Sequence, residues 1–512
     1  MRLLDYGQAA RFSTIPLVIL LDIVGVGFAG YLLLISSNLY TAAIAMIFIL
    51  LTVIATFFNT LAAFSYYDSY FYEKKFKEIE ACMKPMQRYP TVAIAVPTYN
   101  EDPKMVERTI GKLMGMEYPR DRFKIYLLDD STNEGIAAEL REFSQQKGIA
   151  YVHRNDREGF KAGALNNMLK SSMEEFVAIF DADEYLVNRK FLLNLIPFFE
   201  DKKVGYVQTE KRYAKSNFFA NSIDLFNGFF FSFVQTSRAT HNTSTFAGSC
   251  GIVRRRALDD IDGFPEYIIE DTFLSFKQKI KKYKSVYIPR VYALGRPISK
   301  FSIFAKQQWR YNYGGTQFLG FYLKNRNKRH FKLTEHVDYI SLGFGLNYLS
   351  IVLLLFTVLS ILIVFADFPF NSYSLSMLNQ VYIKSYLEIF GIMALLLSFI
   401  APILVSRIYF GSFSYGVMIF LLNFALTFIR TRAAIAATLH FSPMKGWAKG
   451  ESQRLRRILA AFRNSMAEVV FSVVLFVLSI FAFMANNLSG GVWLVWYSLL
   501  YSSTFYFFYR YR

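Results

Sequence analysis

The chain has 512 residues, of which 54% are hydrophobic, including 53 phenylalanines and 34 tyrosines. One soluble core cannot bury that much apolar material, so part of the chain is expected to face lipid. The formal net charge of +18 does not indicate a nucleic-acid partner, because basic cytosolic loops and anionic lipid headgroups account for such an excess in a membrane protein, and the sequence contains no nucleic-acid-binding module.

The chain opens with two apolar runs, at 14–35 and 41–64. Each reaches the roughly 20 helical residues that a hydrocarbon core about 30 Å thick requires. The first run is not typical of a signal peptide, because it contains Asp22, lacks a small-residue cleavage site and is soon followed by another span. We therefore predict two retained transmembrane helices over 1–64.

Residues 65–335 carry most of the acidic side chains and no long apolar run, which is typical of a soluble domain. Short apolar runs at 91–97 and 124–130 predict two buried parallel strands, and apolar residues at helical spacing predict a helix at 102–117 between them. Further strand-like runs lie at 176–180, 204–208 and 285–288. This alternation of strand and helix predicts an open α/β sheet.

Polar residues follow three of the predicted strands: TYNE at 98–101, DDS at 129–131 and DAD at 181–183. Ligands of open α/β sheets lie at the carboxyl ends of the strands, so these acidic side chains are expected to surround a ligand. The sequence has neither a GxGxxG motif after the first strand nor a GxxxxGK[ST] motif, which argues against a dinucleotide-binding fold and a P-loop enzyme. A ligand that contains phosphate would need another binding device.

A divalent metal is one such device. Asp181 and Asp183 are separated by one residue and follow a predicted strand, so both can reach a hard cation from a tight turn. Oxygen ligands suit Mg²⁺ or Mn²⁺, which complete their coordination with water and substrate phosphates. Acids after a strand are also common in solvated turns, so the pattern indicates a metal site only in a wider context.

Beyond the soluble segment, runs of spanning length lie at 339–365, 386–405 and 466–485, whereas 412–429 and 491–508 are shorter or more polar. The linker 430–463 carries eight Lys or Arg residues and one Glu, so it is expected to face the cytosol. A span at 412–429 would place that linker outside, and we therefore interpret 412–438 as a helix in the cytosolic interface. This gives six spans in the cell membrane, with both termini and the soluble domain in the cytosol. The alternative is an odd-numbered topology in which 412–429 spans.

Seven motifs occur in order over about 215 residues. They are VPTYNE at 96–101, DDS at 129–131, GFKAGALN at 159–166, DAD at 181–183, FAGS at 246–249, IED at 269–271 and QQWRY at 307–311. With the flanking spans, they resemble the membrane-embedded family-2 glycosyltransferases, to which cellulose synthase and hyaluronan synthase belong. The resemblance implies a cytosolic α/β domain of the GT-A fold, a Rossmann-like nucleotide-sugar-binding fold, together with a multi-pass α-helical membrane domain.

The same resemblance suggests the domain boundaries. The GT-A domain would cover 88–300, and an amphipathic interface region with the QxxR(W/Y) motif would cover 301–335. Two membrane helices would lie in 339–405 and two in 466–508. An interface helix and a basic, gating-like cytosolic loop would occupy 412–463.

The resemblance also implies roles for individual residues in a donor site. Lys161 would contact a phosphate as a compact positive charge, and the ring of Tyr99 would stack on uracil. Asp181 and Asp183 would bind Mg²⁺ or Mn²⁺ bridging the diphosphate of a UDP-sugar. The donor-binding residues implied by the family are Thr98, Tyr99, Glu101, Asp129, Asp130, Lys161, Gln307, Arg310 and Tyr311.

Asp271 would be the general base, and Gly248, Ser249 and Glu270 would lie on the acceptor side. An acceptor hydroxyl that attacks the anomeric carbon must lose its proton, and a carboxylate within hydrogen-bond reach can accept it. One base and one displacement imply inversion, so an α-linked donor would give a β-linked product. Acids at 270 and 271 are also typical of the first turn of a helix, and both interpretations can hold.

Some features leave the acceptor open. Tyr311 stands where the family has Trp, and Ala247 stands where cellulose synthases have Cys. The stretch 441–447 matches the gating loop of the family loosely, and a basic loop against lipid is the alternative. The aromatic stretch 218–233 either lies against the membrane or lines the entrance to an acceptor channel.

Three functional hypotheses follow. The first is a processive β-glycan synthase that uses a UDP-sugar, extends a glycan acceptor and passes it through its own helices. The second transfers one or a few sugars to a lipid-linked acceptor. The third, a nucleotide-sensing transporter, is disfavoured because Asp22 is the only acid well inside a confidently assigned span. Membrane lipids are expected partners, and regulatory or export subunits are further candidates.

Overall fold

The computed structural model of the protein describes residues 8–34, 36, 38–82, 86, 88–154, 156–366, 412–441, 454–485 and 487–511. The chain divides into two compact units. The α/β unit consists of Ser65–Ile298 and Phe318–Ile340. The helical unit consists of Met1–Phe64, Ser299–Gln317 and Ser341–Arg512.

The strands of the α/β unit form one mixed sheet of eight strands. They are β1 Val92–Thr98, β2 Phe123–Asp129, β3 Ala150–His153, β4 Phe176–Ile179, β5 Tyr185–Leu186, β6 Val204–Tyr213, β7 Gly251–Arg254 and β8 Lys284–Gly295. Their order is β3-β2-β1-β4-β7-β6-β8-β5. Strand β1 pairs in parallel with β2 and β4, whereas β7 is antiparallel to both β4 and β6.

Helices connect and flank these strands. Those before residue 300 are α1 Gln8–Leu34, α2 Leu39–Cys82, α3 Pro103–Met114, α4 Glu134–Lys147, α5 Phe160–Ser171, α6 Phe191–Leu195, α7 Phe218–Phe229, α8 Gln235–Thr240, α9 Arg255–Asp259 and α10 Glu270–Ile280. Those after it are α11 Phe301–Asn325, α12 Leu333–Phe365, α13 Phe413–Ala425, α14 Thr427–Thr438, α15 Arg454–Asn464, α16 Met466–Met484 and α17 Leu488–Arg510.

The central strand β1 is buried on both faces of the sheet. Ile94 and Val96 belong to one hydrophobic cluster, and Ala93 and Ala95 belong to a second cluster on the opposite face. Alternate residues of a strand point to opposite faces, so a strand covered on both sides is apolar at every position. The carboxyl end of β1 is therefore held between two packed layers, which gives the polar residues after it a fixed position.

The predicted strands and the first helix are present. The strands predicted at 204–208 and 285–288 are longer in the structure, since β6 covers Val204–Tyr213 and β8 covers Lys284–Gly295. The parallel pairing of β1 with β2 confirms the prediction for 91–97 and 124–130. The antiparallel strand β7 was not predicted, because a four-residue run ending in Arg254 has too little periodicity to be distinguished from a loop. Its insertion between β4 and β6 makes the sheet mixed.

Within the described residues of the helical unit, two helical segments are long and apolar enough to cross a membrane, Leu39–Phe58 and Met466–Met484. Two bent helix pairs bring the number to four if each is one span. One of them joins α13 to α14 at an angle of 41°, where a single interface helix was predicted over 412–438. The predicted span at 386–405 lies outside the described residues. The six-span topology and the domain boundaries built on it stay predictions.

Candidate active site

The carboxyl ends of β1 and β2 are joined by the side chain of Asn100. Its Oδ1 accepts hydrogen bonds from the backbone amides of Thr132 and Asn133, both at 3.0 Å, and the backbone amide of Asn100 donates to the hydroxyl of Ser131 at 2.9 Å. Asn100 has a φ of 48°, a left-handed conformation that asparagine tolerates better than most residues. These contacts bring the two predicted motifs TYNE and DDS together.

The two carboxylates after β2 already have protein partners. Asp129 is fully buried and accepts hydrogen bonds from the hydroxyl of Tyr151 at 2.7 Å and the amide of Ser131 at 2.9 Å. Asp130 forms a two-pronged ion pair with Arg154, with N–O distances of 2.8 and 2.6 Å. Both acids therefore organise the carboxyl edge of the sheet, and their predicted contact with a nucleotide stays a prediction.

Two lysines flank Asp181 directly after β4. Lys161, at the start of α5, bonds to Oδ1 of Asp181, and Lys211, from β6, lies 3.4 Å from Oδ2. Burial tends to raise the pKa of Asp181, but the two lysine charges outweigh it and hold that pKa well below its usual range. Asp181 is therefore a carboxylate at neutral pH.

Lys211 and Glu184 belong to this site but were not predicted. Lys211 lies 2.9 Å from the buried carboxylate of Glu184, which also accepts a hydrogen bond from the hydroxyl of Ser249 at 2.8 Å. The hydroxyl of Ser249 is in turn bonded to Lys211. A lysine inside a strand and an acid in a turn carry no sequence signal for such a contact, because Lys211 and Glu184 are 27 positions apart in different elements.

Asp183 lies close to two other acidic side chains, those of Asp181 and Glu184. Burial, together with the charges of Asp181 and Glu184, raises the pKa of Asp183 to about 7. The turn that carries it is fixed by Thr109, whose hydroxyl donates to the carbonyl of Ala182 at 2.8 Å.

Asp181 and Asp183 fit a divalent cation whose other ligands are water and substrate phosphates. Among the described residues, no three His, Cys, Asp or Glu side chains gather as a complete metal cage. Mg²⁺ and Mn²⁺ do not need one, because they are commonly held by one or two carboxylates and by substrate phosphates and water. Asp181 and Asp183 supply such a pair of hard oxygen ligands, and a cation there would relieve the charge that now favours a proton on Asp183.

The FAGS loop is built around a buried glutamine. The side-chain oxygen of Gln208 accepts a hydrogen bond from the amide of Ala247 at 2.8 Å, and its nitrogen donates to the carbonyl of Ser249 at 3.0 Å. Gly248 lies between them with a φ of +79°, a conformation that glycine adopts without steric cost. The backbone of the loop is therefore held by a side chain of the neighbouring strand β6, in addition to the contacts of the Ser249 hydroxyl.

Gly248 marks the point where three predicted site residues meet. A Cβ atom built on Gly248 would lie 3.3 Å from Oδ2 of Asp271 and 3.8 Å from both Oε1 of Glu270 and Nζ of Lys161. Lys161 precedes Gly248 by 87 positions in the sequence, and Asp271 follows Gly248 by 23 positions. The fold brings the predicted base and the predicted phosphate contact to the same glycine.

Asp271 lies in the first turn of α10, where the helix dipole favours a carboxylate. Its Oδ1 accepts a hydrogen bond from the amide of Thr272 at 2.7 Å, and its carbonyl accepts one from the hydroxyl of Ser275 at 2.7 Å. The oxygen of Ser275 also accepts a hydrogen bond from the amide of Phe246 at 2.8 Å. One serine therefore links the helix of Asp271 to the FAGS loop.

The remaining predicted residues are placed as follows. Thr98 is buried, and its hydroxyl finds no partner among the described residues. Burial raises the pKa of Glu101 although the charge of Arg296 opposes it. Gln307, Arg310 and Tyr311 lie on the part of α11 that belongs to the helical unit, and their contact with a donor stays a prediction.

Residues 93–262 match the family model described as "Glycosyl transferase family 2". This chain carries a family-2 glycosyltransferase domain. The predicted resemblance is thereby confirmed, and the matched residues hold Lys161, Asp181, Asp183 and the FAGS loop. Asp271, on α10, lies nine residues beyond the end of the matched segment.

The glycosyltransferase domain is similar to those of polysaccharide synthases. It is 31% identical over 239 residues to the cellulose synthase catalytic subunit (UDP-forming) of Pseudomonas fluorescens, a match that covers 45% of this chain and 32% of the relative. It is 32% identical over 253 residues to glucomannan 4-beta-mannosyltransferase 1 of Cyamopsis tetragonoloba, covering 46% and 48%. The chain spans about a third to a half of the length of these curated relatives.

A solved structure supports the fold. The mannosyltransferase PcManGT from Pyrobaculum calidifontis, determined in complex with GDP-Man and Mn²⁺, superposes with a TM-score of 0.51 at 19% identity, over 75% of this chain and 98% of that protein. At this identity the likeness concerns the fold alone. The glycosyltransferase domain therefore has the predicted GT-A type of fold, with a mixed sheet.

Proposed function

We propose that this protein is a membrane-bound inverting glycosyltransferase that transfers a sugar from a UDP-sugar to a growing β-linked polysaccharide. The observation that supports this function best is the convergence at Gly248 of the carboxylate of Asp271 with the ammonium of Lys161. A transferase needs a base beside the acceptor and a positive charge beside the leaving diphosphate. These two groups supply both within one small site.

In the proposed reaction, Asp271 accepts the proton of the acceptor hydroxyl. The hydroxyl oxygen forms a bond to the anomeric carbon as the bond from that carbon to the diphosphate oxygen breaks, so the nucleoside diphosphate leaves and the configuration inverts. The amide of Thr272 holds Oδ1 of Asp271 at 2.7 Å, which orients the carboxylate. A base of this kind contributes roughly 10²- to 10⁴-fold to the rate.

Lys161 and the DAD turn would receive the diphosphate. Lys161 lies on the amino-terminal turn of α5, where the helix dipole also attracts negative charge. Asp181 and Asp183 would hold Mg²⁺ or Mn²⁺, which supplies positive charge to the leaving diphosphate when bound. Tyr99, exposed beside this site, would stack on the nucleobase.

The relatives favour a polymer as the product. Cellulose synthase and glucomannan mannosyltransferase are named for polysaccharide products, and the helical unit contains segments of spanning length. These observations support our proposal that the protein lies in the cell membrane, with the α/β unit in the cytosol and with secretion of the glycan across the membrane. Transfer of a few sugars to a lipid acceptor is the competing outcome of the experiment below.

The test uses purified full-length protein in lipid nanodiscs with Mn²⁺ and, in turn, radiolabelled UDP-sugars and GDP-mannose. Polymer from one UDP-sugar, lost in Asp271→Asn, is expected. Asp121→Asn is a matched control, since Asp121 lies on the exposed turn before the amino end of β2, at the opposite edge of the sheet. Label in short glycolipid would favour a lipid acceptor. Polymer formed from GDP-mannose alone would contradict the choice of a UDP-sugar as donor. If no donor supports transfer even when lipid extract is added, the proposed glycosyltransferase activity is contradicted.

A further inference from the structure

One face of the Tyr99 ring is covered by an arginine. The guanidinium carbon of Arg157 lies 3.3 Å from the centroid of that ring, close to the separation of stacked planar groups. Tyr99 nevertheless remains 38% exposed. Tyr99 therefore contacts Arg157 and still has side-chain surface that is accessible to a ligand.

The loop that carries Arg157 is held in place by its neighbours. Arg154 donates hydrogen bonds to the carbonyls of Glu158 at 2.9 Å and of Phe160 at 3.0 Å. Gly163 allows this loop to approach α5, because a Cβ there would lie 1.9 Å from the carbonyl oxygen of Glu158. The backbone on either side of Arg157 is thus pinned to the first turns of the helix that carries Lys161.

Strained backbone follows Arg157 in the same loop. Gly159 has a φ of +69° and Phe160 a φ of +49°, and a bulky aromatic residue rarely adopts such a conformation. The Phe160 ring is 67% exposed and its centroid lies 5.5 Å from the guanidinium of Arg157. Such strain is typical of ligand-contacting loops, and in this loop the guanidinium of Arg157 lies near two aromatic rings, those of Tyr99 and Phe160.

The hydrogen bonds of Arg157 do not explain its position. Its Nε is buried and has no hydrogen-bond partner among the residues that the structure describes. Within the same residues, no acid forms a salt bridge with its guanidinium. The stack on Tyr99 is therefore the contact that orients this side chain, and an arginine can make it because its guanidinium is planar and delocalised.

We propose that Arg157 is a positioning residue for the nucleobase of the donor. It covers one face of Tyr99 and holds the ring so that the remaining face stacks on the base. This role rests on the proposed function, in which Tyr99 receives a nucleotide-sugar. Because stacking depends on the planar face that every base has, Arg157 supports nucleobase binding in general, while discrimination between uracil and guanine belongs to other groups.

The test measures nucleotide affinity of the full-length protein in nanodiscs by calorimetry with UDP and by competition with uridine. Arg157→Ala is expected to weaken both ligands by the same factor, on the order of tenfold. Arg157→Lys is expected to weaken them almost as much, because an ammonium keeps the charge but cannot stack as a plane. In turnover assays the donor KM is expected to rise with little change in kcat, since the base is bound equally in the ground and transition states.

Coupling to Tyr99 distinguishes positioning from a separate contact. In a Tyr99→Ala background, Arg157→Ala is expected to have no further effect on affinity. Arg120→Ala is the matched control, because its guanidinium lies 4.7 Å from the ring of Phe123 near the start of β2. Thermal unfolding of each variant checks that it is folded. If Arg157→Ala does not fold, the nucleotide affinity of Arg157→Lys is used for the test.

Each contrary outcome has one meaning. Weaker UDP binding with unchanged uridine binding would show that Arg157 is a phosphate ligand and would overturn the positioning role. Additive effects of Arg157→Ala and Tyr99→Ala on affinity would overturn it as well. So would an affinity that neither Arg157 variant changes. Wild-type protein that binds neither UDP nor GDP would contradict the proposed function, and the positioning role with it. Nucleotide binding that is intact in wild type and in both Arg157 variants would overturn the positioning role alone.

Discussion

Nδ1 of His241 lies 3.0 Å from Oδ2 of Asp338. The carboxylate of Asp338 also bonds to the hydroxyl of Thr243, and its carbonyl accepts a hydrogen bond from Arg238 at 3.1 Å. These contacts fasten the residues around the end of α8 to the first turns of α12 within the α/β unit. Because one partner is a histidine, their strength depends on pH near neutrality.

We expect the stabilisation that this pair gives to the α/β unit to be lost as pH rises above about 6.5. The hydrogen bond with Asp338 raises the pKa of His241 more than burial lowers it, and the charges of Asp68 and Glu335 act in the same direction. A group whose pKa is raised by folding stabilises the folded state below its unfolded pKa, and this contribution is lost as pH rises through the folded pKa.

Thermal unfolding of the nanodisc-bound protein between about pH 6 and pH 8.5, the range over which histidine loses its charge, measures this effect. His241→Gln is expected to flatten the decline, whereas the exposed His330→Gln is expected to leave it unchanged. An equal decline in wild type and His241→Gln would show that another group is responsible.

Lys211→Met should destabilise the α/β unit. The substitution leaves the buried carboxylate of Glu184 without the ammonium that now lies 2.9 Å away, and removing one partner of a buried ion pair costs about 3–5 kcal/mol. Lys215→Met, on the exposed turn after β6, should change the unfolding temperature little. If Lys211→Met unfolds at the wild-type temperature, the pair with Glu184 contributes no net stability.

Gly248→Ala should impair catalysis more than stability. A side chain at a φ of +79° costs about 1 kcal/mol, and the new Cβ would press on Oδ2 of Asp271 at 3.3 Å. Gly148→Ala is a matched control, because Gly148 has a φ of +61° and no atom within 4 Å of the new Cβ. Both variants should lose similar stability, and only Gly248→Ala should lose turnover. If Gly248→Ala and Gly148→Ala have equal kcat values, Gly248 has no role on the acceptor side of the reaction.

Asp183→Asn should weaken binding of Mn²⁺ by at least tenfold, as expected when one of two carboxylate ligands is replaced by a neutral amide. Electron paramagnetic resonance of Mn²⁺ titrated into the protein with UDP present measures this without turnover. Asp201→Asn, which removes an exposed acid paired with Lys284 at 2.7 Å, should bind Mn²⁺ as wild type does. Wild-type affinity in Asp183→Asn would exclude Asp183 as a metal ligand.

Much of the α/β unit could be predicted from local pattern. The runs at 91–97 and 124–130 predict strands because a strand buried on both faces is almost continuously apolar. In the structure, β1 is buried at all positions but one, and β2 is exposed only at Lys124. Acids after such strands predict a ligand edge, since parallel strands end at the same side of a sheet. Asp181 and Asp183 were found in this way, whereas Lys161 was implied only by the family resemblance. In the structure Lys161 pairs with Asp181, and the charge of Asp181 acts on Asp183.

The single residues Lys211, Glu184, Arg154 and Arg157 were not found, because their importance depends on contacts across the fold. Lys211 reaches Asp181 over 30 positions and Ser249 reaches Glu184 over 65. No periodicity in the sequence links such positions.

The sequence by itself determined where several apolar strands and apolar helices form and which motifs carry charge, because these properties depend on the order of neighbouring residues. The tertiary structure decided which charges are paired, that β7 runs antiparallel between β4 and β6, and that Asp271 and Lys161 meet at Gly248. Those outcomes depend on how separate layers pack, and packing acts between residues that are distant in the chain.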